Sequence, residues 1–152
     1  MFQNKGFTLI EMLLVISIIL TLSVLSFPFM NTKTINIQVL ALLGDGVFSL
    51  YIREKILELG INNTKEFQDK LISYVSAKSQ AKILNYLIDN EKLTDLEIDI
   101  VKRGRNYKNG NHPKNTDIIT YKYSTGFEAL LGDLYLNDKD RLNEILNMIE
   151  VK

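Results

Sequence analysis

The 152-residue chain is long enough for one domain with a real core, and 46% hydrophobic against 24% charged residues is ordinary for a globular protein. Eighteen basic and eighteen acidic side chains give a formal net charge of zero, so any affinity for a polyanion must come from local clustering and not from the overall field. The absence of cysteine excludes a disulfide scaffold and a thiolate metal site, and the single histidine, His112, has no second histidine with which to share a zinc ion.

The first feature along the chain is an apolar run from Phe7 to Phe29 whose only ionisable side chain is Glu11. Such a run meets the roughly 20 apolar residues a bilayer requires and by itself reads as a transmembrane segment. Its flanks, Asn4-Lys-Gly6 before Phe7-Thr-Leu-Ile-Glu11, resemble the type IV prepilin leader. That resemblance implies cleavage after Gly6, methylation of Phe7 and a glutamate, Glu11, at the fifth position of the processed chain. A plain secretory signal or anchor is the alternative.

Past Met30 the pattern changes to amphipathic helices separated by polar turns, with no strand-like alternation of useful length. Helices are predicted from about Asn36 to Leu59, ended by Gly60, from Thr64 to Tyr74 and from Ser76 to Asp89. Thr94-Asp-Leu-Glu97 has the form of a capping box and opens a fourth helix ending near Arg105. After a loop rich in Asn, Gly and Pro, a fifth is expected from Ile119 to Leu136, and Asn137-Asp138 starts a short last one. The expected fold is therefore all-α, a hydrophobic N-terminal helix over residues 1–29 followed by a helical domain over 30–152.

Two acids stand out against this background. Asp45 is the lone acid between Val39 and Phe48, and Glu128 the lone acid between Tyr123 and Gly132, each in an apolar stretch of small residues. A carboxylate buried among apolar groups is costly unless something pairs with it, and hard carboxylate oxygens bind metal ions readily. Gly44, Gly46, Gly126 and Gly132 beside them leave room for a ligand or a second helix, since glycine in a helix interior otherwise loses about 1 kcal/mol against alanine. The same placement also fits ordinary polar-face residues of two amphipathic helices.

The strongest charge feature is Lys102, Arg103, Arg105, Lys108 and Lys114, five cations with His112 and Tyr107 among them and no acid until Asp117. Cations at a helix end favour its dipole, but those beyond the helix need another reason, and cations interleaved with asparagine suit a phosphate backbone. Lys78 and Lys82 could extend the patch or be surface charge.

Leu40-Ala-Leu-Leu-Gly-Asp45, Val75-Ser-Ala-Lys-Ser-Gln-Ala81, Lys102-Arg-Gly-Arg-Asn106, Pro113-Lys-Asn-Thr-Asp117 and Tyr121-Lys-Tyr-Ser-Thr-Gly-Phe-Glu-Ala-Leu-Leu-Gly132, in this order and spacing, resemble the Mini-ribonuclease III family of the ribonuclease III superfamily. The resemblance spans about Ile35 to Leu136. It implies an all-helical, homodimeric endonuclease that cuts double-stranded RNA with Mg2+ in maturation of the large (23S) ribosomal RNA precursor, in the cytoplasm. It assigns catalysis and metal binding to Asp45 and Glu128, while the charge pattern itself offers Lys78, Arg103, Arg105, Lys108 and Lys114 for contact with RNA. Two further acids of full-length ribonuclease III enzymes fall on Ala41 and Thr125 here, which is typical of the Mini group. Gly46 stands where alanine is usual. Asp133 is read as a surface residue.

The two resemblances conflict in destination, because a prepilin leader would export the rest of the chain and carry a nuclease away from its RNA. Met30 opens Met-Asn-Thr-Lys-Thr-Ile-Asn-Ile, a natural start that keeps the nuclease match intact, so the first 29 residues are expected to come from a fusion, a misjoined gene model or an upstream reading frame. If they are retained, the location becomes the inner membrane. A non-catalytic RNA-binding protein and a membrane-anchored pseudopilin-like protein are the alternative functions.

Overall fold

The computed structural model describes residues 8–25, 34–107 and 117–152. Seven helices and no strands are found among the described residues: α1 (Leu9–Leu25), α2 (Ile37–Glu58), α3 (Thr64–Val75), α4 (Ala77–Asp89), α5 (Asp95–Asn106), α6 (Ile118–Asn137) and α7 (Lys139–Asn147). The chain divides into two compact units, residues 1–30 and 31–152.

In the first unit, Thr8 and Glu11 open α1 reciprocally. The Thr8 N–H donates to Glu11 Oε2 at 2.8 Å and the Glu11 N–H donates back to Thr8 Oγ1 at 3.3 Å. The helix has 17 residues, about 26 Å at 1.5 Å each. No helix among the described residues is long and apolar enough to cross a membrane, although the run from Phe7 to Phe29 reads that way in the sequence.

In the second unit, polar residues at the predicted starts make the expected caps. Asn36 Oδ1 accepts from the Gln38 N–H, Asn63 from Lys65 and Glu66, Asp117 from Ile119 and Thr120, and Asp138 from Arg141. Thr94 and Glu97 form the complete capping box. Gly60 ends α2 at φ 79°, a left-handed conformation glycine adopts without strain. Every boundary lies within two residues of its sequence expectation, because caps and breakers are local chemistry.

Packing is organised around α6, which touches α2, α4, α5 and α7. It is buried on all sides from Ser124 to Leu134 apart from half-buried Glu128, so it cannot be an amphipathic surface helix. Phe127 meets Phe48 of α2 edge to face at 5.2 Å between centroids, and Ile52, Ile56, Leu84, Leu87, Leu130, Leu131 and Ile145 complete a core with no exposed surface. Asp133 is buried at 7% exposure. The sequence reading of Asp133 as a surface residue fails because α6 has no solvent side there.

Two glycine crossings let α6 approach its neighbours. A Cβ on Gly44 would fall on the Glu128 carbonyl and 2.7 Å from the Gly132 nitrogen, and one on Gly132 would fall on the Leu40 carbonyl. On the other side, a Cβ on Gly104 of α5 would lie 2.9 Å from the Gly126 Cα. Gly46 faces open space, so close packing explains Gly44, Gly126 and Gly132 but not Gly46.

One buried ion pair ties α5 to α7. Glu97, 5% exposed, receives Arg141 Nε at 2.8 Å and Nη2 at 3.1 Å as well as the Thr94 N–H at 2.7 Å. Burial opposes its ionisation, but the guanidinium and the Thr94 donors outweigh burial and hold the carboxyl below the usual range.

The crossing yields a contrast between glycines two residues apart. Gly44→Ala and Gly132→Ala each force backbone apart and should cost at least ~3 kcal/mol in urea unfolding. Gly46→Ala should instead stabilise by up to about 1 kcal/mol through helix propensity alone. Equal effects at positions 44 and 46 would mean that the helices do not meet at this point.

Candidate active site

The Gly44–Gly132 crossing decides where the two singled-out acids go. Asp45 comes directly after Gly44 on α2, and Gly44 lies against the backbone carbonyl of Glu128, so the tightest approach of the helices brings the acids to one place. Asp45 is exposed and Glu128 half-buried, so the pair lies at the rim of the core with access from solvent. A third side chain reaches them from α4: Gln80, 1% exposed, whose Nε2 donates to Asp45 Oδ1 at 3.5 Å and whose amide favours the ionised form of Glu128.

This geometry sets the electrostatics. Burial is the largest influence on Glu128, the nearby charge of Asp45 adds to it and the Gln80 amide opposes both, with the result that the Glu128 carboxyl is pushed up to about 8. The Glu128 carboxylate, partly withdrawn from water, resists ionising beside the Asp45 charge. A cation between them removes that resistance, and oxygen donors of this kind match hard divalent ions.

The positions aligned with the missing acids are accounted for locally. Ala41 is 3% exposed in a small apolar cluster with Leu40 and Ala129, and the Thr125 hydroxyl donates to the Tyr121 carbonyl at 3.0 Å. Neither offers a donor to the acids. Asp133 is five residues beyond Glu128, about 140° around the helix, and so points elsewhere. Among the described residues no group of three or more His, Cys, Asp or Glu could hold a metal ion, so the cluster is two carboxylates and an amide.

Sequence reasoning did not single out Gln80, though a signal existed. Ala81, Leu84 and Leu87 form the buried stripe of α4, and Gln80 occupies a position on that stripe. A long polar residue on a core-facing stripe needs a polar partner inside.

The basic residues divide three ways. Arg105 lies over the Tyr123 ring with its guanidinium carbon 3.9 Å from the centroid, a cation–π contact that fixes its direction. Arg103 is half-buried on α5, and Lys78 and Lys82 are exposed on α4, the helix that carries Gln80. Lys108, His112 and Lys114 lie outside the described residues.

Comparison with known proteins accords with this arrangement. The Ribonuclease III domain family matches residues 38–139, and the prokaryotic N-terminal methylation motif matches residues 1–27. A Mini-ribonuclease 3 of Staphylococcus aureus is 43% identical over 120 residues, covering 78% of this chain and 90% of its own. One from Thermoanaerobacter is 44% identical over 111 residues, covering 72% and 77%. The crystal structure of a Fusobacterium nucleatum protein superposes with a TM-score of 0.68 at 28% identity, over 78% of this chain and 93% of that one. The family match spans both helices that carry the acids, and with the relatives it shows that this chain belongs to the ribonuclease III family, among the Mini-ribonuclease 3 enzymes, and is an endoribonuclease.

Proposed function

We propose that the chain is a magnesium-dependent endonuclease that cuts double-stranded RNA in maturation of the 23S ribosomal RNA precursor, with Asp45 and Glu128 as its catalytic and metal-holding residues. The observation that carries this is the meeting of the two carboxylates at the α2–α6 crossing, with the buried Gln80 amide against them. The donor set fits the ion, since both acids present hard oxygens and the Asp45 charge raises the cost of ionising Glu128. A magnesium ion bound there would acidify its water and offset charge developing on the phosphate. The chain's own part is to hold the two acids on helices locked backbone to backbone and to present Arg105, oriented by Tyr123, with Arg103, Lys78 and the cations at 108 and 114 for the RNA phosphates.

A homodimer is part of the reading. Leu42, Leu43, Val47, Leu50, Tyr135 and Leu142 line an apolar groove along α2, and Leu42 and Leu50 are 70% and 58% exposed. A second copy would cover this surface and give two sites for two strands. Recognition would rest on A-form shape, ribose hydroxyls and phosphates.

The methylation motif favours a second reading, a membrane-anchored pseudopilin-like protein. We propose instead that the nuclease begins at Met30 and acts in the cytoplasm. A peptide spanning Phe29 to Lys33 in mass spectrometry of the native protein would overturn that start.

Asp45→Asn removes one ligand charge with little change in shape, so cleavage of a long RNA duplex in Mg2+ should fall by about a hundredfold or more while duplex binding persists. Arg105→Ala should weaken binding and lower its salt dependence by about one counterion. Full activity of the Asp45→Asn protein would end the assignment.

The raised Glu128 carboxyl gives a pH signature without RNA. Its ordinary value is 4.5 and its folded value about 8, so stability from the neutral form is complete below the lower figure and lost as pH rises through the higher. Metal-free protein should therefore lose up to a few kcal/mol, ~1.4 per unit at most, between pH 5 and 9 relative to Glu128→Gln, and saturating Mg2+ should close the gap. Parallel melting-temperature curves for the two proteins would show that Glu128 is not poised this way.

A further inference from the structure

Gln80 is the side chain whose cost the two-carboxylate reading leaves unexplained. It is 1% exposed, its Nε2 donates to Asp45 Oδ1 at 3.5 Å, it acts on the Glu128 carboxyl as a neighbouring amide, and its Oε1 has no hydrogen-bond partner among the described residues. A buried amide oxygen left unpaired costs ~1–3 kcal/mol. The position offers an easy escape, because leucine on the same stripe of α4 would bury with no polar atom to satisfy. An amide kept there, with its nitrogen on an acid and its oxygen free of any bond, is uncommitted in orientation and can present either atom to the acids.

Ion chemistry gives the oxygen a use on the acids' side. A magnesium ion takes six oxygen donors and holds several as water, so two carboxylates leave most of the sphere to other groups. Ala41 has no donor and the Thr125 hydroxyl is committed to the Tyr121 carbonyl, which leaves Gln80 as the remaining polar side chain seen against both acids. An amide also suits a site that is sometimes empty. Its NH2 donates to carboxylates when no ion separates them, and a half turn about the terminal bond brings its oxygen to the same place at almost unchanged shape. Leucine could do neither, and glutamate would add a third negative charge to the empty site.

We propose that Gln80 is the third protein oxygen donor of the Asp45–Glu128 cation site, its amide turning from donor to the carboxylates in the empty state to acceptor toward the divalent ion in the loaded one. This rests on the metal-site reading above and goes beyond it by assigning a ligand outside the two acids.

The test uses the full chain without RNA, titrated with MnCl2 or MgCl2 by calorimetry, alongside Gln80→Met, Gln80→Glu and Asp45→Asn. Gln80→Met keeps length and removes both polar atoms, and it should weaken cation binding by about 10–100-fold, the range for loss of a supporting group at a metal site. Gln80→Glu keeps an oxygen there and should bind at least as tightly as the unsubstituted chain. The Gln80 side-chain amide resonances, identified by their loss in Gln80→Met, should shift on adding Mg2+. Unchanged or tighter binding by Gln80→Met, with Asp45→Asn abolishing it, would overturn the Gln80 assignment alone and mean that the amide merely competes with the ion. Failure of the unsubstituted chain to bind either ion, or indifference to Asp45→Asn, would overturn the metal-site reading and this inference together. If Gln80→Met does not fold, weaker binding by Gln80→Glu than by the unsubstituted chain is the overturning result.

Discussion

Backbone contact between α2 and α6 at Gly44 and Gly132 is the constraint on which the rest of this structure depends. Each glycine gives up about 1 kcal/mol of helix propensity against alanine, and what the pair obtains is an approach that no side chain would allow. That approach permits the edge-to-face packing of Phe48 on Phe127, the burial of α6 on all its sides and the position of Asp45 beside Glu128. The pairing of the two acids and the core are therefore one feature, and the pair cannot loosen without the core loosening too.

Two glutamates show how the partners of an acid withdrawn from water lead it to opposite ends. Glu97 is 5% exposed, yet a bidentate arginine and a helix-start N–H keep its carboxyl below the usual range, and it fastens α5 to α7. Glu128 keeps partial exposure but faces another acid and only a neutral amide, so it is pushed up to about 8. The first is a satisfied structural pair. The second is a local conflict of charge, retained where folding alone would remove it, and such conflicts mark functional sites.

How far the sequence revealed this depends on the range of the interaction. Asn36, Asn63, Thr94, Asp117 and Asp138 act within three residues, and the helix ends they cap were legible. Asp45 and Glu128 were legible as candidates because each is alone in an apolar run, but their meeting depends on a crossing that only the fold displays. Gly46 and Asp133 were misread for the same reason, as nothing local distinguishes Gly46 from Gly44 or shows that α6 lacks a solvent face. Gln80 was legible in principle, a polar residue on an apolar stripe, but its significance lies in an oxygen without a partner, which is a fact of three dimensions.

The N-terminal segment can be weighed by the same standard of what depends on what. Both hydrophobic clusters of the second unit draw their buried residues from Ile37 onward, and α2 is capped by its own Asn36. The residues that position Asp45, Gln80 and Glu128 are all within residues 40–132. The buried core and the acids' arrangement are thus drawn from residues of the second unit, while the methylation motif falls on the first. Each of the two family resemblances therefore rests on its own unit of the chain, and the one that spans both acids rests on the second.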